Sequence, residues 1–139
     1  MPKPELTPDA LAFVDQCHQD MYGTPLGQSL KPVVQMRYSR ITLVAKEGGE
    51  RMTIDANLSF RNAANQRRAA PDHFILETKP ARGNGVADRI LRSLHVHPTK
   101  RCSKYCMGMA TLGLVERHNR FLPALKKLQV FEQPLRRRD

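Results

Sequence analysis

The sequence has 139 residues, 40% of them hydrophobic, which is within the usual length of one domain and apolar enough to bury a core. Lys and Arg number 23 against 13 acidic residues, a formal net charge of +10, so an anionic partner is expected while the fold is left open. No apolar run approaches the roughly 20 residues of a membrane-spanning helix, and Met1 to Glu5 lack a charged segment followed by an apolar signal core. The expectation is a cytoplasmic protein with no membrane span, whose three cysteines, Cys17, Cys102 and Cys106, are free thiols and not a disulfide framework.

Thr7, Pro8 and Asp9 form a helix start: a capping hydroxyl, a proline at the first helical position and an acid near the positive end of the dipole. Leu11, Val14 and Met21 continue at near-helical spacing, which predicts a helix over 8–21 that ends before Gly23-Thr24-Pro25. Residues 25–32 read as a connecting loop. β-Branched and aromatic residues over 33–45 and again over 51–60, on either side of Glu47-Gly48-Gly49-Glu50, predict a hairpin, because paired glycines supply the positive φ angles that tight turns require. In the second strand strict alternation puts Met52, Ile54, Ala56, Leu58 and Phe60 on one face and Arg51, Thr53, Asp55, Asn57 and Ser59 on the other.

Residues 61–72 are polar, carry Arg67 and Arg68 and show no apolar period, so they are expected to form a loop. A third strand is predicted over 73–79, with Phe74, Leu76 and Thr78 opposite His73, Ile75, Glu77 and Lys79. A short helix follows, with Val86, Ile90, Leu91 and Leu94 on one face. Further helices are expected over 103–114 and over 116–128, the last interrupted near Pro123. Residues 129–139, with Arg136, Arg137 and Arg138, read as a basic tail beyond a single domain spanning 1–128.

Each predicted strand offers charge to one side: Arg37 and Arg40 on the first, Arg51, Thr53 and Asp55 on the second, Glu77 and Lys79 on the third. Any half-buried antiparallel sheet shows such alternation, so the pattern alone assigns no function. Tyr38-Ser39-Arg40, Arg51-Met52-Thr53-Ile54-Asp55, Ile75-Leu76-Glu77-Thr78-Lys79 and Ser103-Lys104-Tyr105, in this order and at these spacings, resemble the C-terminal half of the polyphosphate polymerase (VTC) domain, a triphosphate tunnel metalloenzyme family. The likeness covers about residues 10–115.

The resemblance implies an α+β fold: an antiparallel β-sheet like half of a triphosphate tunnel barrel, with an N-terminal helix and a C-terminal helical cluster. It implies ATP-dependent phosphoryl transfer onto inorganic polyphosphate or triphosphate. Arg40, Arg51 and Lys104 would act at the reacting phosphates, with Arg37, Lys79 and Arg101 as further substrate contacts and Glu77 as the ligand of a divalent Mn²⁺ or Mg²⁺. Guanidinium forks suit phosphate oxygens, a carboxylate suits a hard cation, and phosphoryl transfer needs chiefly positioning and charge neutralisation. Three strands do not close a barrel, so a second chain supplying the other half of the tunnel, or a homodimer, is the expected partner.

The rival reading is a basic module, or an inactive remnant, that holds polyphosphate or nucleic acid without turnover. Nucleic acid ranks below polyphosphate because five Phe, three Tyr and no Trp give little surface for base stacking. His95, His97, Cys102 and Cys106 are all competent zinc ligands, but their spacing matches no familiar zinc pattern, and small buried helical cysteines are the commoner case.

Overall fold

The computed structural model describes residues 6–132. The chain divides into two compact units, Met1–Gln35 and Met36–Asp139. The first holds helix α1 (Pro8–Tyr22), started and stopped as the sequence predicts: the Thr7 hydroxyl accepts from the Ala10 N–H, and the chain leaves the helix at Gly23 in the left-handed region, φ 72°. No residue of α1 is buried.

The second unit is a five-stranded sheet with helices after it: β1 (Gln35–Val44), β2 (Arg51–Arg61), β3 (Gln66–Arg68), β4 (Phe74–Lys79), α2 (Val86–Ser93), α3 (Lys104–Thr111), a 3₁₀ turn (Asn119–Phe121), α4 (Leu122–Lys127) and β5 (Phe131–Glu132). The class is α+β, with an N-terminal helix, an open antiparallel sheet and C-terminal helices. β1 and β2 form the predicted hairpin, turned by Gly48 and Gly49 at φ 78° and 68°.

β2 is the central strand. It pairs with β4 from Arg51↔Lys79 to Ala56↔Phe74 and with β3 from Ser59↔Arg68 to Arg61↔Gln66. Three steps along β2 between these registers are matched by six on the opposite side, where Pro71-Asp72 loops out. On β2 itself the break falls at Asn57, whose φ is +56°. A left-handed residue within a strand turns the chain, and the burial alternation shifts by one there. Thr53 and Asp55 before it, and Leu58 and Phe60 after it, are therefore the buried positions. The strict alternation expected from sequence is corrected here: Asp55 does not lie on a wet face opposite Leu58 and Phe60.

Two further expectations change. The segment 61–72 is not wholly a loop, since polar Gln66–Arg68 is held as a strand between β2 and β5. Pro123 does not interrupt a helix over 116–128; it sits in the first turn of α4, where proline's missing N–H has no bond to lose. Residues 133–139 of the expected tail lie outside the described residues.

The core sits where α3 and α4 meet the far end of β2: Leu58, Phe60 and Met107 are almost wholly buried, with Ala110, Leu112, Ala124, Leu125 and Leu128 around them. α2 is tied to the hairpin by a long-range cap. The Glu50 carboxylate accepts from the N–H groups of Val86 and Ala87 at 2.9 and 3.0 Å, satisfying donors that a helix start leaves open. A Cβ at Gly85 would fall on that carboxylate and push it out of the cap.

The left-handed backbone at Asn57 makes a direct prediction. A branched side chain resists positive φ, so Asn57→Val should lower unfolding stability by about 1–2 kcal/mol in urea titration. Asn57→Gly should stay close to wild type.

Candidate functional site

Asp55 stands mid-strand in β2, opposite Ile75 of β4. Aspartate is depleted in strands, and this side chain has no exposed surface at all. A buried carboxylate is tolerated when its charge and lone pairs are answered. Here Arg40 Nε donates to Oδ1 at 2.6 Å and Arg40 Nη2 to Oδ2 at 2.8 Å, while Lys104 Nζ donates to Oδ2 at 2.7 Å. The bond from Arg40, followed by that from Lys104, holds the Asp55 carboxyl below the usual carboxylate range against the opposing effect of burial. The same bond from Asp55 raises the Arg40 guanidinium further above its already high value.

Three elements meet at this carboxylate: β1 through Arg40, β2 through Asp55 itself, and the first residue of α3 through Lys104. A lysine at a helix N-terminus opposes the helix dipole, and the ion pair with Asp55 answers that charge. Ser103 caps the same helix, accepting from the Cys106 N–H at 3.4 Å. The Tyr38 ring lies beside both cations, with Arg40 Cζ 5.1 Å and Lys104 Nζ 5.6 Å from its centroid, within cation–π range.

On the same face of the sheet, Arg51 is directly opposite Lys79, and Thr53 is opposite Glu77. Lys79 Nζ is 3.1 Å from Glu77 Oε1 in a solvent-exposed pair. Arg51 is exposed and has no ion-pair partner among the described residues. The structure thus brings Arg40, Arg51, Glu77, Lys79 and Lys104 to one face. It does not bring Arg37 there, because strand alternation puts Arg37 on the side of β1 opposite Arg40. Nor does Arg101 join the ion-pair cluster; it is exposed, at φ 58°, in the loop before α3.

For a divalent cation the donor chemistry is sparse. Both Asp55 oxygens are taken, and among the described residues no three His, Cys, Asp or Glu side chains converge. Glu77 remains as one hard, partly exposed carboxylate. That fits a Mg²⁺- or Mn²⁺-type ion whose other ligands are phosphate oxygens and water, and does not fit an all-protein cage. Cys102 and Cys106 are free thiols, and burial pushes the Cys102 thiol up in pKa, an effect that nearby Lys104 partly offsets.

The residue that sequence reasoning passed over is Asp55. It stood among the polar residues of its strand without a role. The available signal was its type: an acid between Ile54 and Ala56 in a strand needs a basic partner. Because folding depresses its pKa from an ordinary 3.8, the ionised carboxylate contributes stability above about pH 4, and that contribution is lost as pH falls through the folded value. Asp55→Asn should therefore lower stability by about 3 kcal/mol at neutral pH. In urea midpoints measured across pH, the gap between the two proteins should narrow below about pH 4.

No curated protein and no solved structure matches the chain, and among the described residues no helix is long and apolar enough to cross a membrane. A family model described as the VTC domain matches residues 4–113. The match covers well over half of the sequence, and the chain belongs to the VTC domain family.

Proposed function

We propose that this face binds the phosphates of inorganic polyphosphate or triphosphate and of ATP, and that it serves metal-dependent phosphoryl transfer when a second chain or a second copy completes the sheet around it. The observation that carries the reading is the convergence of four cations, Arg40, Arg51, Lys79 and Lys104, on one face with only two carboxylates, Asp55 and Glu77. A linear chain of phosphates meets such a row with one oxygen pair after another, which a compact anion does not.

The cations have different tasks. Arg40 has five N–H donors and gives two to Asp55, so three remain for a ligand. Lys104 is mostly buried and acts as a fixed positive charge at the inner end. Arg51 and Lys79 stand at the open end, where an incoming polyanion first meets the sheet. Glu77, displaced from Lys79 by a phosphate oxygen, would hold the divalent ion. That ion, when bound, neutralises charge across adjacent phosphates. No nucleophilic side chain is required, since a terminal phosphate oxygen of the acceptor can attack the γ-phosphorus of ATP with ADP leaving.

Calorimetric titration with tripolyphosphate, with and without Mn²⁺, tests this. Arg51→Ala should weaken binding by about 1.5–3 kcal/mol, as for a lost charge-assisted hydrogen bond. It is a cleaner probe than Arg40→Ala, which also strands a buried carboxylate. Glu77→Ala should abolish the gain from Mn²⁺ while leaving metal-free binding. An unchanged dissociation constant in Arg51→Ala overturns the assignment. Salt-sensitive binding indifferent to Mn²⁺ and to Glu77 selects the module without turnover.

A further inference from the structure

A cavity of about 270 Å³ lies at the other end of α3 from Lys104, where the last turns of α3 and α4 meet. Six of the eight residues that line it come after residue 113, beyond the family match, so the family's phosphate chemistry does not account for it. At roughly 30 Å³ for a water-sized atom, the cavity has room for about nine non-hydrogen atoms.

Two features set this cavity apart from a packing gap. The first is His118, which borders it and whose Nδ1 is buried with no hydrogen-bond partner among the described residues. A buried polar atom left in this way costs stability and calls for a partner. The second is Gln129. Val130 N–H donates to the Leu125 carbonyl at 3.3 Å and Gln129 N–H to the Lys126 carbonyl at 3.1 Å, the pair of bonds that closes a helix through a left-handed residue. Gln129 is that residue, at φ 47°, where glycine would be free of strain. What glutamine offers there and glycine lacks is a carboxamide at the cavity wall.

The lining narrows the occupant by elimination. No Asp or Glu lines the cavity to answer a cation. The carbonyl ends of two helices meet there, which disfavours an anion, and the charge of exposed Lys126, in the last turn of α4, is already answered by that helix end. His118 Nδ1 accepts if bare and donates if protonated; a hydroxyl partner serves either tautomer, as it serves the Thr111 hydroxyl and the Gln129 carboxamide. Leu122, Leu125 and Val130 supply apolar walls. We infer that the cavity binds a small uncharged molecule of about nine non-hydrogen atoms, which presents a hydroxyl to His118 and Gln129 and a hydrocarbon body to the apolar walls. The charged face does not enter this inference, and its failure would leave the polyanion reading untouched.

The test titrates the full chain with three probes of this size: cyclohexylmethanol, its isomer methoxycyclohexane, which lacks the donor, and cyclohexanecarboxylate, which carries a charge. NMR signals of the His118 ring and of the Thr111, Gln129 and Val130 amides report on the cavity. The alcohol should give saturable shifts with a dissociation constant of about a millimolar, and the ether and the carboxylate should bind about tenfold more weakly or worse. His118→Phe, which keeps a ring in place, and Gln129→Gly should each weaken alcohol binding by about tenfold. Gln129→Gly should do so with a urea midpoint no lower than wild type, because it relieves the left-handed residue. An ether that binds as tightly as the alcohol, a carboxylate that binds most tightly, unchanged affinity in either variant, or no saturable shift with any probe would overturn the proposal.

Discussion

A carboxylate fully withdrawn from water loses far more solvation than a single surface contact returns, so Asp55 persists only because Arg40 and Lys104 meet it together. That demand fixes the relation of three elements. β1 must stay in register with β2 for Arg40 to reach across, and α3 must begin where Lys104 can reach in. The left-handed Asn57, between Asp55 and Leu58, lets Asp55 share the covered side with Leu58 and Phe60. A buried ion pair of this kind is poor evidence of net stability, since an apolar replacement of equal shape can be as stable. What it does supply is a fixed position for two cations.

That position shapes what the face can bind. Asp55 neutralises part of the charge at the inner end, whereas Arg51 and Lys79 near the open end are solvent-exposed and, among the described residues, only Lys79 of the two is in an ion pair. Charge therefore runs along the strands and does not collect at one point. An extended anion with repeated negative groups is matched to such a row, and its binding is expected to depend on salt, because exposed charges are screened. Tyr38, beside Arg40 and Lys104, further limits the freedom of both side chains.

Much of this was legible in the sequence, for identifiable reasons. Thr7-Pro8, the Gly48-Gly49 turn and the apolar period of α2 are local signals, and local hydrogen bonding and sterics decide them. The faces of β2 were not legible, because one asparagine in a left-handed conformation leaves no mark in an alternating pattern yet reverses it. β3 was missed for a related reason: Gln66, Arg67 and Arg68 have no strand preference of their own, and pairing with β2 and β5 holds them. Arg37 was grouped with Arg40 by type, although three positions apart in a strand means opposite faces. Asp55 went unassigned because its importance lies in partners from β1 and α3, far away along the chain.

Whether one face, organised by Asp55, receives the polyanion can be seen by amide and arginine side-chain NMR during a tripolyphosphate titration. The largest shifts should fall at Tyr38 to Arg40, Arg51 to Asp55, Glu77 to Lys79 and Lys104, with the Arg40 Nε–H still bonded to Asp55 and Arg37 unmoved. Shifts centred on α1 or on Arg37, or spread evenly over the basic surface, would contradict it.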